Sequence, residues 1–144
     1  MSNKKVYLVY GSPLSGKTTY VKEHAQKGDL IIDIDNIWEC LSGCKRYEKP
    51  RELNSSVLYV KNLLINMVKE KKGRWINAYV ICNECSMRYI TKLQKELDAI
   101  LIHIDTCKET CLKRLYNEGD GRNIEIWEQY INDYFKFIDK GEIR

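Results

Sequence analysis

A glycine-rich segment close to the start of the chain limits the folds that the remaining residues can adopt. Residues 11–18 read Gly-Ser-Pro-Leu-Ser-Gly-Lys-Thr, with a glycine on each side of the turn. An apolar run with strand character, residues 5–10, precedes this segment, and a helical run that Gly28 ends follows it. A strand, a tight glycine loop and a helix in this order indicate a fold with a parallel sheet.

The residue types in the same segment indicate phosphate binding. Gly11 and Gly16 allow the backbone to wrap closely and to present amide hydrogens to phosphate oxygens. Lys17 adds a compact positive charge for β- and γ-phosphates, and Thr18 supplies a hydroxyl group to a magnesium ion. The motif therefore predicts that ATP and Mg²⁺ are bound by Gly11, Ser12, Pro13, Leu14, Ser15, Gly16, Lys17, Thr18 and Thr19.

Further apolar runs of strand length recur along the chain and are rich in Val, Ile or Tyr. We predict strands at residues 5–10, 30–34, 75–82 and 99–104. Helical patterns cover about residues 16–26, 54–72, 86–97, 106–117 and 123–138, and Thr106 with Glu109 has the spacing of a capping box at the start of the fourth. With 144 residues, we expect one α/β domain, residues 1–144, with helices flanking a parallel sheet.

Charge, hydropathy and cysteine content exclude some classes of protein. The net charge of +4 suits an anionic substrate, but the chain lacks the charge blocks of a nucleic-acid-binding tail. The apolar stretch at residues 6–10 is too short for a signal peptide or a membrane span, so we expect a cytoplasmic protein without membrane contact. The six cysteines form three close pairs, which we interpret as structural thiols rather than zinc ligands.

Two acidic residues, Asp33 and Asp35, directly follow the second predicted strand. If the strand continues through them, their alternate positions place both side chains on one side. Ligands of parallel α/β sheets collect at the carboxyl ends of the strands. One carboxylate would then accept a proton from an attacking hydroxyl, while the other, for which we favour Asp33, orients the metal together with Thr18. The simpler alternative is a helix cap at Asp35 and a solvated Asp33.

The third predicted strand ends in Asn83 and Glu84 rather than in aspartate. ATPases that activate water for hydrolysis normally need an acid at this position, so its absence favours a kinase arrangement. A glycine-containing stretch near the end of the chain, about residues 114–123, is a candidate lid that carries Arg114 and Arg122. An arginine on a mobile segment would stabilise charge on the transferred phosphoryl group.

A basic stretch without clean periodicity, residues 39–53, is the second candidate for a functional loop. Arg46 and Arg51 would contact acceptor phosphates there, and Trp38 or Tyr47 would offer a stacking surface. The alternative is that these charges form an ordinary solvated surface.

The phosphate loop at residues 11–19, the Asp33-Ile34-Asp35 segment and the arginine-bearing lid together resemble the polynucleotide-kinase branch of the P-loop kinases, which includes small phage and bacterial ATP-binding proteins. The resemblance spans nearly the whole chain. It implies a three-layer α/β fold with a four-stranded parallel sheet in the order 2-3-1-4. It also implies that Asp35, or alternatively Asp33, is the general base. The family commonly has an arginine soon after this aspartate, whereas here the matching residues 36–39 contain none, so the contact is either missing or made by Arg46 or Arg51.

Three functional hypotheses follow from these features. The first is transfer of the γ-phosphoryl group of ATP to a hydroxyl of a nucleic acid or nucleotide, with Lys17, Mg²⁺ and Arg122 stabilising charge. The second keeps this chemistry but has a small nucleoside, sugar or antibiotic as the acceptor. The third is a nucleotide-binding module without catalytic activity.

Overall fold

Four parallel strands form the centre of the computed structural model, which describes residues 3–84, 86–118 and 121–139. The strands are β1 (Lys5–Gly11), β2 (Leu30–Ile32), β3 (Asn77–Cys82) and β4 (Ile100–Ile104). Their order is β2-β3-β1-β4, and all neighbours are parallel. This confirms the expected fold class and the sheet order 2-3-1-4. The carboxyl ends of the strands therefore meet at one edge of the sheet.

Helices cover both faces of this sheet. In the described part of the chain they are α1 (Lys17–His24), α2 (Ile34–Ser42), α3 (Asn54–Lys69), α4 (Met87–Leu97), α5 (Lys108–Glu118) and α6 (Ile124–Asp139). A short 3₁₀ turn, Arg51–Leu53, precedes α3. Five of the six helices match the sequence patterns, whereas α2 was not predicted. None of these helices is long and apolar enough to cross a membrane.

The two faces of β1 contact different helical layers because successive strand residues point to opposite sides. Leu8 packs in a cluster with Val68 of α3 and Ile90 of α4. Val9 packs on the opposite face with Val21 of α1. Burial on both faces explains why the strands read as almost continuous apolar runs.

The second strand is shorter than the sequence predicts. It ends at Ile32, and the Asp33 side chain accepts a hydrogen bond from the Asp35 backbone amide at 3.0 Å, which caps α2. The strand predicted over residues 30–34 therefore ends two residues early, and the condition for Asp33 and Asp35 to lie on one side of a strand is not met. The cap is Asp33 rather than Asp35, and residues 39–42 are helical rather than loop.

The final two helices are attached to the glycine-rich loop. Cys111 and Leu115 of α5 pack against Ile131 of α6, with Leu14 of the loop at the border of the cluster. Residues 114–118 of the predicted lid belong to α5, and residues 119–120 lie outside the described residues. Residues 114–118 are therefore part of a regular helix that packs beside the loop.

The cysteines are distributed over several elements. Cys82 is buried at the end of β3, as predicted for a core strand, and Cys111 is buried in α5. Cys40 and Cys107 are exposed, and Cys85 lies outside the described residues. Within the described ranges, no group of three or more His, Cys, Asp or Glu side chains is arranged to hold a metal ion.

Candidate active site

The glycine-rich loop connects β1 to α1 in a tight turn. A Cβ atom on Gly11 would lie 2.7 Å from the Ile104 carbonyl oxygen and 2.8 Å from Ser15 Oγ, so a side chain has no room there. Gly16 has a φ of 104°, in the left-handed region that favours glycine. Gly16 provides no side-chain cap for α1, and the first amides of a helix have no partner within the helix. This arrangement suits an anion at the start of α1.

Lys17 lies inside the loop rather than in solvent. Its Nζ donates hydrogen bonds to the carbonyl oxygens of Gly11, at 2.7 Å, and of Ser12, at 2.9 Å. The residue is only 7% exposed, and burial lowers the pKa of Lys17 to about 8. Burying a cation among neutral carbonyl groups is unfavourable, so an anion bound at this position would stabilise the charged form.

Two residues from outside the loop hold its backbone. The Thr106 hydroxyl donates a hydrogen bond to the Ser15 carbonyl oxygen at 2.6 Å. Arg114 Nη1 donates to the Leu14 carbonyl oxygen at 2.9 Å. Because a trans peptide places N–H opposite C=O, the Thr106 contact directs the Gly16 amide away from Thr106. Thr106 lies ahead of α5, which begins at Lys108, and no sequence pattern indicates its contact with the loop.

The two aspartates occupy different environments. Asp33 is 3% exposed, and besides capping α2 it lies 3.1 Å from Arg46 Nη2 through its Oδ2 atom. Burial raises the pKa of Asp33, and the contacts with the Asp35 amide and Arg46 oppose this shift. Asp35 lies in the first turn of α2, with its Oδ1 atom 3.2 Å from Lys49 Nζ. Each carboxylate is thus paired with a cation from the same basic stretch.

Of the two arginines that were predicted to contact acceptor phosphates from the basic stretch, only Arg46 lines the cleft. Arg46 contacts Asp33, Asn36 and Glu39, and it lines the cleft. Arg51 lies in the 3₁₀ turn and does not line the cleft.

Trp38 also differs from its predicted role. It is 6% exposed and packs with Val57 of α3 in the core, so it offers no stacking surface. Tyr47, the alternative aromatic residue, does line the cleft.

Arg122 approaches the site from the end of the predicted lid. Its guanidinium carbon lies 4.2 Å from the ring centre of Tyr47 and 4.7 Å from that of Trp127. Its Nη2 atom donates a hydrogen bond to the Tyr47 hydroxyl, and its Nη1 atom lies 3.4 Å from Glu118. The sequence indicated the arginine but not the aromatic residues that surround it.

One cleft of about 1130 Å³ connects these parts. It is lined by loop residues 13–19, by both aspartates and by the predicted arginines other than Arg51. The side chains that line it and were predicted as catalytic are Lys17, Asp33, Asp35, Arg114 and Arg122. The fold therefore brings into one cleft residues that are more than one hundred positions apart in sequence.

Comparison with known proteins gives a likeness of fold. No family model and no curated protein matches this sequence. A chain of the Pnkp1/Rnl/Hen1 RNA repair complex superposes with a TM-score of 0.69 and 13% identity, over 97% of this chain and 47% of that chain. Shikimate kinase from Acinetobacter baumannii in complex with shikimate gives a TM-score of 0.60 and 19% identity, over 95% of this chain and 77% of that chain. Shikimate kinase from Bacteroides thetaiotaomicron gives a TM-score of 0.54 and 16% identity, over 94% of this chain and 79% of that chain.

These neighbours define the architecture of the chain. It has the fold of the small P-loop kinases, which confirms the resemblance suggested by the sequence at the level of the fold. The chain spans less than half the length of the RNA repair chain that it matches.

Proposed function

We propose that this chain transfers the γ-phosphoryl group of ATP to a hydroxyl group of a nucleic acid or nucleotide. The observation that carries the proposal is that Lys17 and Asp35 line the same cleft, one at the phosphate loop and the other at the start of α2. Phosphoryl transfer to an alcohol needs a cation for the phosphates and a carboxylate for the hydroxyl proton. The likeness to kinase structures supports this assignment.

Asp35 is the proposed general base. Each oxygen of Asp33 already accepts a hydrogen bond, one from the Asp35 amide and the other from Arg46, which makes this carboxylate a weaker base but leaves each oxygen a lone pair for a cation. Asp35 instead presents its carboxylate to the cleft from the first turn of α2, with one contact to Lys49. In the proposed reaction, Asp35 accepts the hydroxyl proton while the hydroxyl oxygen bonds to the γ-phosphorus and the bond to ADP breaks.

Thr18 and Asp33 are the residues that would hold magnesium. Both supply oxygen atoms at the cleft, which are the ligands that this hard cation prefers. Magnesium in kinases takes its other ligands from phosphate oxygens and water, so few protein ligands are needed. When bound, the ion offsets the charge of the phosphates, as Lys17 and Arg122 would also do.

Arg114 has a different proposed role from Arg122. It lines the cleft, but one of its N–H groups is bound to the Leu14 carbonyl oxygen. We therefore assign Arg114 to holding the phosphate loop in shape and Arg122 to stabilising charge on the transferred group.

The groups around Asp35 favour an acceptor that carries a phosphate. Arg46 and Lys49 place two cations beside the proposed base. Cations position the phosphates of a sugar–phosphate backbone. A nucleotide or the end of a nucleic acid strand supplies such a phosphate, whereas a free sugar does not.

A small-molecule kinase is the second candidate. The two shikimate kinases match over 94–95% of this chain and share a larger part of their own length with it than the RNA repair chain does. A small acceptor would leave Arg46 and Lys49 in their present ion pairs with Asp33 and Asp35. Replacement of Lys49 should therefore raise the KM of an acceptor that carries a phosphate, but not the KM of a small acceptor without one.

The experiment that separates these candidates is a transfer assay with γ-labelled ATP, Mg²⁺ and a panel of acceptors. The panel contains 5′-hydroxyl DNA and RNA oligonucleotides, nucleoside 3′-monophosphates, free nucleosides and shikimate. We expect label on the oligonucleotides or on the nucleoside monophosphates. Label on nucleosides or shikimate alone would support the second candidate. ATP binding without transfer to any acceptor would contradict both kinase candidates and would support a nucleotide-binding module without catalytic activity.

A further inference from the structure

Arg122 is enclosed by aromatic rings from two distant parts of the chain. Tyr47 and Trp127, which we call the aromatic clamp, lie with ring centres 4.2 and 4.7 Å from the guanidinium carbon. The two rings also meet edge to face, with centres 5.2 Å apart. The Arg122 side chain is only 12% exposed. The clamp therefore holds the guanidinium group of Arg122 between the two rings.

The two rings of the clamp stabilise this cation. The faces of aromatic rings attract a guanidinium group but carry no net charge. Glu118 lies 3.4 Å from Arg122 Nη1, but its side chain is 47% exposed, so solvent screens this ion pair. The contacts with the rings therefore orient the guanidinium group without placing a negative charge beside it.

The backbone at Tyr47 is in an unusual conformation. Its φ of 75° lies in the left-handed region, which residues with a side chain seldom adopt. The preceding residue, Arg46, is fixed by contacts with Asp33, Asn36 and Glu39. The chain thus turns so that Arg46 reaches the carboxylates while Tyr47 reaches Arg122. Such backbone outliers persist where surrounding contacts determine them, and they concentrate at functional sites.

We propose that Tyr47 is a positioning residue that couples the lid arginine to the acceptor side of the cleft. Its ring and its hydroxyl group hold Arg122 where the guanidinium offsets charge on the transferred phosphoryl group. Because Arg46 and Tyr47 are adjacent, the contacts at Asp33 and at Arg122 form one connected unit. This inference rests on the proposed phosphotransferase function and adds to it a residue that acts through Arg122 rather than on the substrate.

A double-mutant cycle tests this coupling. The proteins are wild type, Tyr47→Leu, Arg122→Ala and the double variant, assayed for transfer from γ-labelled ATP to a 5′-hydroxyl oligonucleotide. We expect Tyr47→Leu to lower kcat by about 10- to 100-fold, because a displaced catalytic group loses its orientation. The KM for ATP should change by less than about threefold, since the phosphate loop is intact. In the Arg122→Ala background, Tyr47→Leu should cause no further loss.

Two further variants give this test its controls. Tyr59→Leu, at an exposed tyrosine of α3, should leave kcat unchanged. Tyr47→Phe keeps the ring and removes only the hydroxyl, so it should retain more activity than Tyr47→Leu and replaces it if that variant does not fold. Wild-type protein that transfers phosphate to no acceptor would defeat the proposed function. An active wild type with independent, multiplying losses at Tyr47 and Arg122 would overturn only the coupling.

Discussion

Arg46 Nη2 lies 3.1 Å from Oδ2 of Asp33, an aspartate that is almost completely buried. The other oxygen of the same carboxylate accepts the Asp35 amide hydrogen and so begins α2. A single side chain therefore determines where the helix begins and where the basic stretch is attached. Removing one partner of such a pair leaves a buried charge without compensation.

Replacing Arg46 by methionine should lower the free energy of unfolding by roughly 1–2 kcal/mol, less than for a fully buried pair because Arg46 is 28% exposed. Urea unfolding followed by circular dichroism measures this change. Arg51→Met is the matched control and should stay within about 0.5 kcal/mol of wild type, as expected for a surface site. Equal stability of the two variants would show that the Asp33 pair contributes little.

The pKa of Asp33 gives a pH-dependent prediction. Burial raises this pKa in the folded state above its ordinary value of 3.8. As the pH rises above that value, Asp33 ionises first in the unfolded chain, which favours unfolding. As the pH rises, the unfolding free energy of wild type should therefore fall relative to that of Asp33→Asn, and the fall should stop once the pH exceeds the folded-state pKa of Asp33. The asparagine keeps an N-cap side chain for α2. Unfolding free energies of both proteins, measured from acidic to neutral pH, check this. A constant difference would contradict the raised pKa.

ATP binding should depend on the protonation of Lys17. The pKa of Lys17 in the free protein is lowered to about 8 by burial, and a bound triphosphate stabilises the protonated form. The Kd for ATP should therefore increase as the pH rises above about 8, approaching tenfold per pH unit. Isothermal titration calorimetry measures this dependence. Lys17→Met should bind ATP more weakly and with a flat profile over the same range. A wild-type profile equally flat would disprove the role of Lys17.

Thr106 should affect ATP binding through the loop that it holds. Thr106→Val removes the hydrogen bond to the Ser15 carbonyl oxygen while keeping the side-chain shape. The loss of one such bond corresponds to about 2- to 10-fold weaker ATP binding, with a smaller effect on kcat. Thr106→Ser retains the hydroxyl and should restore the wild-type Kd. If the valine and serine variants bind ATP equally, the contact does not shape the loop.

The sequence predicted those parts of the fold and site that depend on local patterns. The glycine loop around Lys17 follows from residue types at fixed spacing, and the strands follow from apolar runs that both layers bury. The sheet order was expected only from the resemblance to P-loop kinases. The structure has the same strand order, because the chain shares the fold of those kinases.

The parts that the sequence did not predict depend on contacts between distant residues. The apolar residues Ile34, Ile37, Trp38 and Leu41 have helical spacing. However, the apolar run before Asp33 also fits a strand that extends through Ile34, and an aromatic residue beside a basic stretch, such as Trp38, suits a binding site as well as the core. The Arg46 pair with Asp33 has no local signature, because it forms only when the fold brings the two segments together. The contact between Tyr47 and Arg122 joins residues 75 positions apart, so local sequence patterns cannot predict it either.

The most direct test of the account is the rate of phosphoryl transfer by an Asp35→Ala variant. With γ-labelled ATP, Mg²⁺ and the acceptor that wild type uses best, we expect kcat to fall by about 100-fold or more, as for loss of a general base. The Kd for ATP should remain within about threefold of the wild-type value, because Lys17 and the loop are unchanged. Transfer at the wild-type rate by Asp35→Ala would contradict the assignment of the base and the mechanism built on it.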